Sequence, residues 1–210
     1  MEAKKYRKIL HLDLDAFFCA VEELKDPSLA GKAFAVGGSA NHRGVISTCS
    51  YPARKFGVHS AMPTGQAMKL CPQLLLISGF HSEYSAKSRE VMAIVNQLTG
   101  LVEQVSVDEA FMDVTDLPEV GETIARRLQV EVLEKTSLPC SIGVASNKLV
   151  AKIATDTGKC RSVGDSYPRA ILVVPPGGEA EFLARLPVKA MWGVGPKAEI
   201  DLKNAGMHTI

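Results

Sequence analysis

Apolar and polar residues alternate through Ile9-Leu10-His11-Leu12-Asp13-Leu14-Asp15, the period-two pattern of a half-buried strand. Leu10, Leu12 and Leu14 then face a core, with His11, Asp13 and Asp15 on the opposite face. A second strand-like stretch, residues 103–114, carries the acidic pair Asp108-Glu109 at its middle. Elsewhere the period lengthens. Tyr84, Lys87, Val91, Ile94, Val95 and Leu98 predict an amphipathic helix over 82–99, and Ile124, Leu128 and Val132 another over 122–135. Shorter helices are predicted at 20–24, ending before Asp26-Pro27, at 64–70, stopped by Cys71-Pro72, and at 147–157. Ser50 caps a further one, with Pro52 in its first turn and Gly57 closing it. Short strands are predicted at 33–38, 43–48, 139–145 and 171–174, and a buried one at 74–78.

From residue 74 to 174, strands and two long helices alternate. With the first strand they give a β-α-β-β-α-β order, an α+β sheet of the ferredoxin-like type covered on one face. Residues 19–80 read as an insertion. Pro175-Pro176-Gly177-Gly178 is a linker, and helices at 179–186 and 196–204 form a small unit beyond it.

The chain has 210 residues, 46% hydrophobic and 22% charged, the balance of an ordinary globular protein. A net charge of +1 gives no argument for nucleic acid, although a cleft can be basic on a neutral protein. Five cysteines without C-x-x-C spacing argue against disulfides and structural zinc, and predict a cytoplasmic setting. The basic N-terminus is followed at once by Asp13 and Asp15, so no signal peptide is expected. No apolar run approaches membrane-spanning length, and no membrane partner is expected. His11, His42, His59, His81 and His208 show no ligand spacing.

Two aspartates on one strand face need a reason, because strands are poor in aspartate. If the two acidic stretches are neighbours in one sheet, Asp13, Asp108 and Glu109 converge. Their repulsion would then be relieved by a hard cation such as magnesium. Adjacent residues point to opposite faces of a strand, but at a hairpin turn Asp108 and Glu109 can both reach one ion. Spacing alone suits a solvated strand face equally well. Asp15 and Asp113 are expected to serve the structure or to support the ligands from behind.

These residues also carry a resemblance. Asp13-Leu14-Asp15-Ala16-Phe17-Phe18 with Val21-Glu22 resembles the opening motif of Y-family DNA polymerases, and Ser106-Val107-Asp108-Glu109-Ala110-Phe111 their second catalytic motif. Residues 43–48 and 51–63 are similar to the bacterial DNA polymerase IV branch. The resemblance implies a palm at 1–18 and 81–174, fingers at 19–80 and a partial thumb at 175–210. No little finger is expected within these residues. It implies template-directed transfer from a dNTP to a primer 3′-hydroxyl, of translesion type, with low fidelity and processivity. Two Mg2+ ions, replaceable by Mn2+, would be held by Asp13, Asp108, Glu109 and the Leu14 carbonyl.

By the same resemblance Thr48, Tyr51, Arg54 and Lys159 hold the triphosphate. The family's Lys-Pro-Asn-Gly is Lys159-Cys160-Arg161-Ser162 here, so the lysine is expected in a loop lacking its rigid proline and turn glycine. Phe17 and Phe18 fall in the nucleotide-binding segment. Phe18 is the steric gate against a 2′-hydroxyl, and Phe17 reads as a core aromatic. Gly44 and Val45 match small residues that roof the base pair. Gly193, Val194, Gly195 and Lys197 resemble a helix-hairpin-helix turn that holds a DNA phosphate. Expected partners are primer-template DNA, a dNTP and, for the longer protein, a sliding clamp. The rival readings are a non-catalytic DNA-damage adaptor on the same fold, which would lose its acids, and a nucleotidyl cyclase, which would not explain residues 48–54 or 193–197.

Overall fold

The computed structural model describes residues 6–162, 164 and 166–210. Most of the expected basic N-terminus, residues 1–5, lies outside the described residues. The elements run β1 (Ile9–Leu14), α1 (Phe17–Lys25), β2 (Phe34–Gly37), β3 (Ile46–Cys49), α2 (Tyr51–Arg54), α3 (Thr64–Leu70) and β4 (Leu75–Ile77). They continue with α4 (His81–Leu98), β5 (Val102–Gln104), β6 (Glu109–Asp113), α5 (Gly121–Thr136), β7 (Cys140–Ala145), α6 (Lys148–Arg161), β8 (Ile171–Val173), α7 (Glu179–Ala184) and α8 (Pro196–Asn204).

Five strands form one sheet in the order β5-β6-β1-β7-β8. The first four follow the ferredoxin-like order, and β8 adds itself parallel to β7 after the crossover through α6. The expected α+β class is therefore observed. The sheet is covered on both faces, however, not on one. Leu10, Leu12 and Leu14 pack with Val91, Val95, Ile124, Leu128 and Val132 of α4 and α5. On the opposite face Ile9, Phe111 and Ala145 pack with Val150, Ala151 and Ala154 of α6. All six residues of β7 are buried for that reason. Period-two reading of β1 could not reveal the second cover, because the side chains beneath α6 include His11 and Asp13 as well as Ile9.

Residues 34–77 hold a second, three-stranded sheet, β3-β2-β4. Ser50 caps α2 as predicted: its Oγ accepts from the Ala53 amide. The strand at 74–78 departs from its expected burial, since Leu75 is 44% exposed. It lies at the sheet edge, paired only through β2. Nor does packing break at residue 19. Phe17, Cys19, Ala20 and Val21 of α1 and Phe34 and Val36 of β2 join the core of the larger sheet.

Candidate active site

Antiparallel pairing of β1 with β6 sets Asp13 directly opposite Glu109. Asp108 precedes β6 by one residue, and its carbonyl accepts from the Leu14 amide at 3.0 Å, where β1 ends. The hairpin turn thus delivers both members of the acidic pair to the end of β1. Ser106 organises the turn: its hydroxyl donates to Asp108 Oδ1 at 2.5 Å and accepts from the Glu109 amide at 3.1 Å. Burial, with repulsion from Asp13, raises the carboxyl pKa of both Asp108 and Glu109.

A stripe along α6 answers these acids. Lys152 donates to Glu109 Oε1 at 2.7 Å, and Lys159 donates to Asp13 Oδ1 and lies 3.3 Å from Asp15 Oδ1. Between them the Thr155 hydroxyl meets His11 Nδ1 at 2.9 Å. The spacings of three, four and seven residues keep all three side chains on one helical face. Burial works against the Lys159 ammonium, but Asp13 and Asp15 more than offset it and raise its pKa.

Three convergent carboxylates are what a hard divalent cation requires, and in this respect the donor set fits one. As the side chains stand, no group of three or more His, Cys, Asp or Glu among the described residues is gathered closely enough to hold an ion. Asp13 and Glu109 turn onto ammonium groups, which relieves the same repulsion.

Asp15 sits behind this display, in reach of Lys159 but not of an ion at the surface. It is fully buried, accepting from Ser141 Oγ at 2.8 Å and the Arg169 amide at 2.9 Å. Asp113 pairs with Arg7 at 2.8 Å at the far end of β6. The left-handed turn at Ala16 (φ 44°, ψ 48°) sends the chain from β1 into α1. Phe18 emerges half-buried, its ring stacked on Tyr84 at 4.1 Å between centroids. Phe17 is 1% exposed, a core aromatic as the pattern predicts, so only its main chain is left to face a nucleotide.

Of the residues expected to hold the triphosphate, Lys159 and Tyr51 lie near Asp13 and Asp15. Tyr51 is held by the Arg54 guanidinium over its ring at 4.5 Å and by Tyr167 edge-on at 5.7 Å. Its buried hydroxyl has no hydrogen-bond partner, and burial with the negative charge of Asp15 pushes its pKa up to about 12. Thr48 is half-buried on β3. Lys159 is not in a loop: α6 runs a full turn beyond the predicted 157, to Arg161. Helix geometry supplies the rigidity that a proline and a turn glycine would give a loop.

Gly44 has its own structural reason. A Cβ there would lie 2.3 Å from the backbone carbon and oxygen of Gly38. Val45 beside it is 50% exposed. In the C-terminal unit, Gly193 takes φ +92°, Val194 closes a turn onto Met191 O at 3.0 Å, and Gly195 caps α8 with Pro196 in its first turn. Lys197 is exposed at that helix start. Sequence reading missed Lys152, Thr155 and Ser106. The first two are polar positions that a helical pattern assigns to a solvated face, whereas both are buried against the sheet.

A family model described as the impB/mucB/samB family matches residues 12–156. DNA polymerase IV of Francisella tularensis subsp. holarctica is 46% identical over 208 residues, 98% of this chain and 57% of that protein. DNA polymerase IV of Ralstonia nicotianae is 43% identical over 97% of this chain and 56% of its own length. The crystal structure of DinB from Sulfolobus solfataricus superposes with a TM-score of 0.86 at 31% identity, covering 96% of this chain and 58% of that one. The insertion ternary complex of Dbh DNA polymerase gives the same figures. The chain thus spans just over half the length of the relatives it matches.

Proposed function

The chain belongs to the impB/mucB/samB family, the Y-family DNA polymerases, and from that premise we propose that it is the catalytic portion of a translesion DNA polymerase. The observation that carries this is Asp13 opposite Glu109 in the β1–β6 ladder, with Asp108 beside them. In this reading residues 1–18 and 81–174 are the palm, 19–80 the fingers and 175–210 part of the thumb. The substrates are a dNTP and primer-template DNA. A sliding clamp is a partner of the longer protein, and the setting is the cytoplasm. Among the described residues no helix is long and apolar enough to cross a membrane.

Asp13, Asp108, Glu109 and the Leu14 carbonyl would hold two Mg2+ ions, for which Mn2+ can substitute. Such ions would polarise the phosphoryl group and lower the pKa of the primer hydroxyl. The chain's own residues then bind and orient. Tyr51 offers its unpartnered hydroxyl to a phosphate oxygen, with Thr48, Arg54 and Lys159 supplying further donors. Phe18, braced by Tyr84, lies under the sugar and leaves no room for a 2′-hydroxyl. Gly44 and Val45 cover the base pair, and the amides around Gly193, Val194 and Gly195, with Lys197, grip the DNA backbone.

Primer extension with Mg2+ tests the reading. Asp108→Asn should lower the rate at least about a hundredfold, the scale of losing one electrostatic group in a transition state. Equal products from both proteins would remove the site. Extension by neither protein would favour the adaptor. Conversion of a free nucleotide to a cyclic product without template would favour the cyclase.

A further inference from the structure

The ammonium of Lys152 stands between two parts of the molecule. On one side it donates to Glu109 Oε1 at 2.7 Å. On the other it lies 6.0 Å from the centroid of the Trp192 ring, within reach of a cation–π attraction. Its side chain is only 11% exposed, so loss of one partner cannot simply be made good by water. Asp156 Oδ2 lies 3.9 Å away. Trp192 leans on Phe111 of β6 at 6.2 Å between centroids and opens the turn that leads into α8.

We infer that Lys152 is a positioning residue that couples the occupancy of Glu109 to the seating of the Trp192 turn. The inference rests on the metal-binding reading of the acids. Without a cation, Glu109 holds the ammonium. With one bound, Glu109 is neutralised and Lys152 becomes a like charge beside it. The ammonium then moves toward Asp156 and the indole face, tightening the contact that seats the turn proposed to grip DNA. A lysine that merely balanced charge would need no aromatic on its far side. Coupling of this kind is reciprocal: whatever presses Trp192 onto Lys152 also frees Glu109 for the cation.

Trp192 is the only tryptophan in the sequence, so emission excited beyond the tyrosine absorption edge comes from this indole alone. MgCl2 is titrated onto the full chain, with uptake read independently by displacement of Mn2+ in its paramagnetic resonance signal. In the wild type, emission should change with the same midpoint as Mg2+ uptake. Lys152→Met should bind Mg2+ about fivefold more tightly, because no ammonium competes for Glu109, and should show no metal-dependent emission change. Lys152→Arg should restore that change. If circular dichroism shows Lys152→Met unfolded, Lys152→Gln, which keeps a donor to Glu109 without charge, must lose the emission change in its place. Mg2+ uptake that leaves wild-type emission unmoved, or moves it equally in the uncharged variants, overturns the coupling and leaves the metal reading intact. No Mg2+ uptake by the wild type, or uptake indifferent to Asp108→Asn, overturns the metal reading and the coupling with it.

Discussion

Tyr51 shows how one atom can matter for a ligand and not for the fold. Its hydroxyl is buried without a partner, and a buried donor left unpaired costs about 1–3 kcal/mol. Tyr51→Phe removes that cost and keeps the ring between Arg54 and Tyr167. The melting temperature should therefore hold or rise slightly, while the KM for an incoming dNTP rises about tenfold, the weight of a hydrogen bond to a charged acceptor. Thermal unfolding and steady-state extension check the two halves separately. An unchanged KM would mean that the hydroxyl meets no phosphate. At this scale the sequence is informative about residue type but not about direction. Asp13 and Asp15 share a strand face by pattern, and only the bonds from Ser141 and Arg169 mark Asp15 as buried structure. Phe17 and Phe18 are equally aromatic, and which one faces outward depends on the left-handed turn at Ala16, which no hydrophobic pattern encodes.

The element on which the site depends most is α6. It brings Lys152, Thr155 and Lys159 over β1 and β6, and it approaches β7 closely enough that Gly143 faces its backbone. A Cβ at Gly143 would lie 2.0 Å from Ala151 O and 2.6 Å from Thr155 N. Neither is a flexible side-chain tip, so the helix itself must move. Gly143→Ala should cost about 3 kcal/mol, at the upper end of overpacking, and should also lower extension activity in the fraction that remains folded. Gly65→Ala in α3, where a Cβ meets nothing within 4 Å, serves as the control and should be neutral or stabilising by up to about 1 kcal/mol. Urea midpoints compare the two. Strand order and the two long helices are legible in the sequence because each has one apolar face. The length of α6 is not, because its last turn, Gly158 to Arg161, carries no apolar periodicity. Gly158 fits closely against β8 and the residue before it: a Cβ there would lie 3.1 Å from the Ala170 Cβ. The exposure of β4 is equally hidden, since a run of leucines reads the same at an edge as in a core.

At the scale of the whole molecule, the two-sided sheet sets how stability depends on pH. His11 is fully buried between β1 and α6. Thr155 has one hydroxyl proton, and the carbonyls of His11 and Ala151 lie at 3.0 and 3.2 Å to accept it. The hydroxyl therefore accepts from Nδ1–H, which leaves Nε2 unprotonated and without a partner. A proton added there would be buried beside the Lys152 ammonium. Burial first, and Lys152 second, push the His11 pKa down to about 3. Because the folded value lies below the ordinary 6.5, this group's contribution to stability is present above pH 6.5. It is lost as pH falls toward 3, at no more than about 1.4 kcal/mol per pH unit. Asp15, Asp108 and Glu109 act in the opposite sense. Their raised values mean that protonation in mild acid relieves repulsion and burial in the folded state. The net acid limb is therefore shallower than His11 alone would give, and His11→Leu should flatten it further or reverse its sign between pH 6 and 4. Denaturant midpoints at half-unit pH steps measure both proteins. A wild-type limb only as steep as that of His11→Leu would show that the imidazole, for all its burial, does not govern acid stability.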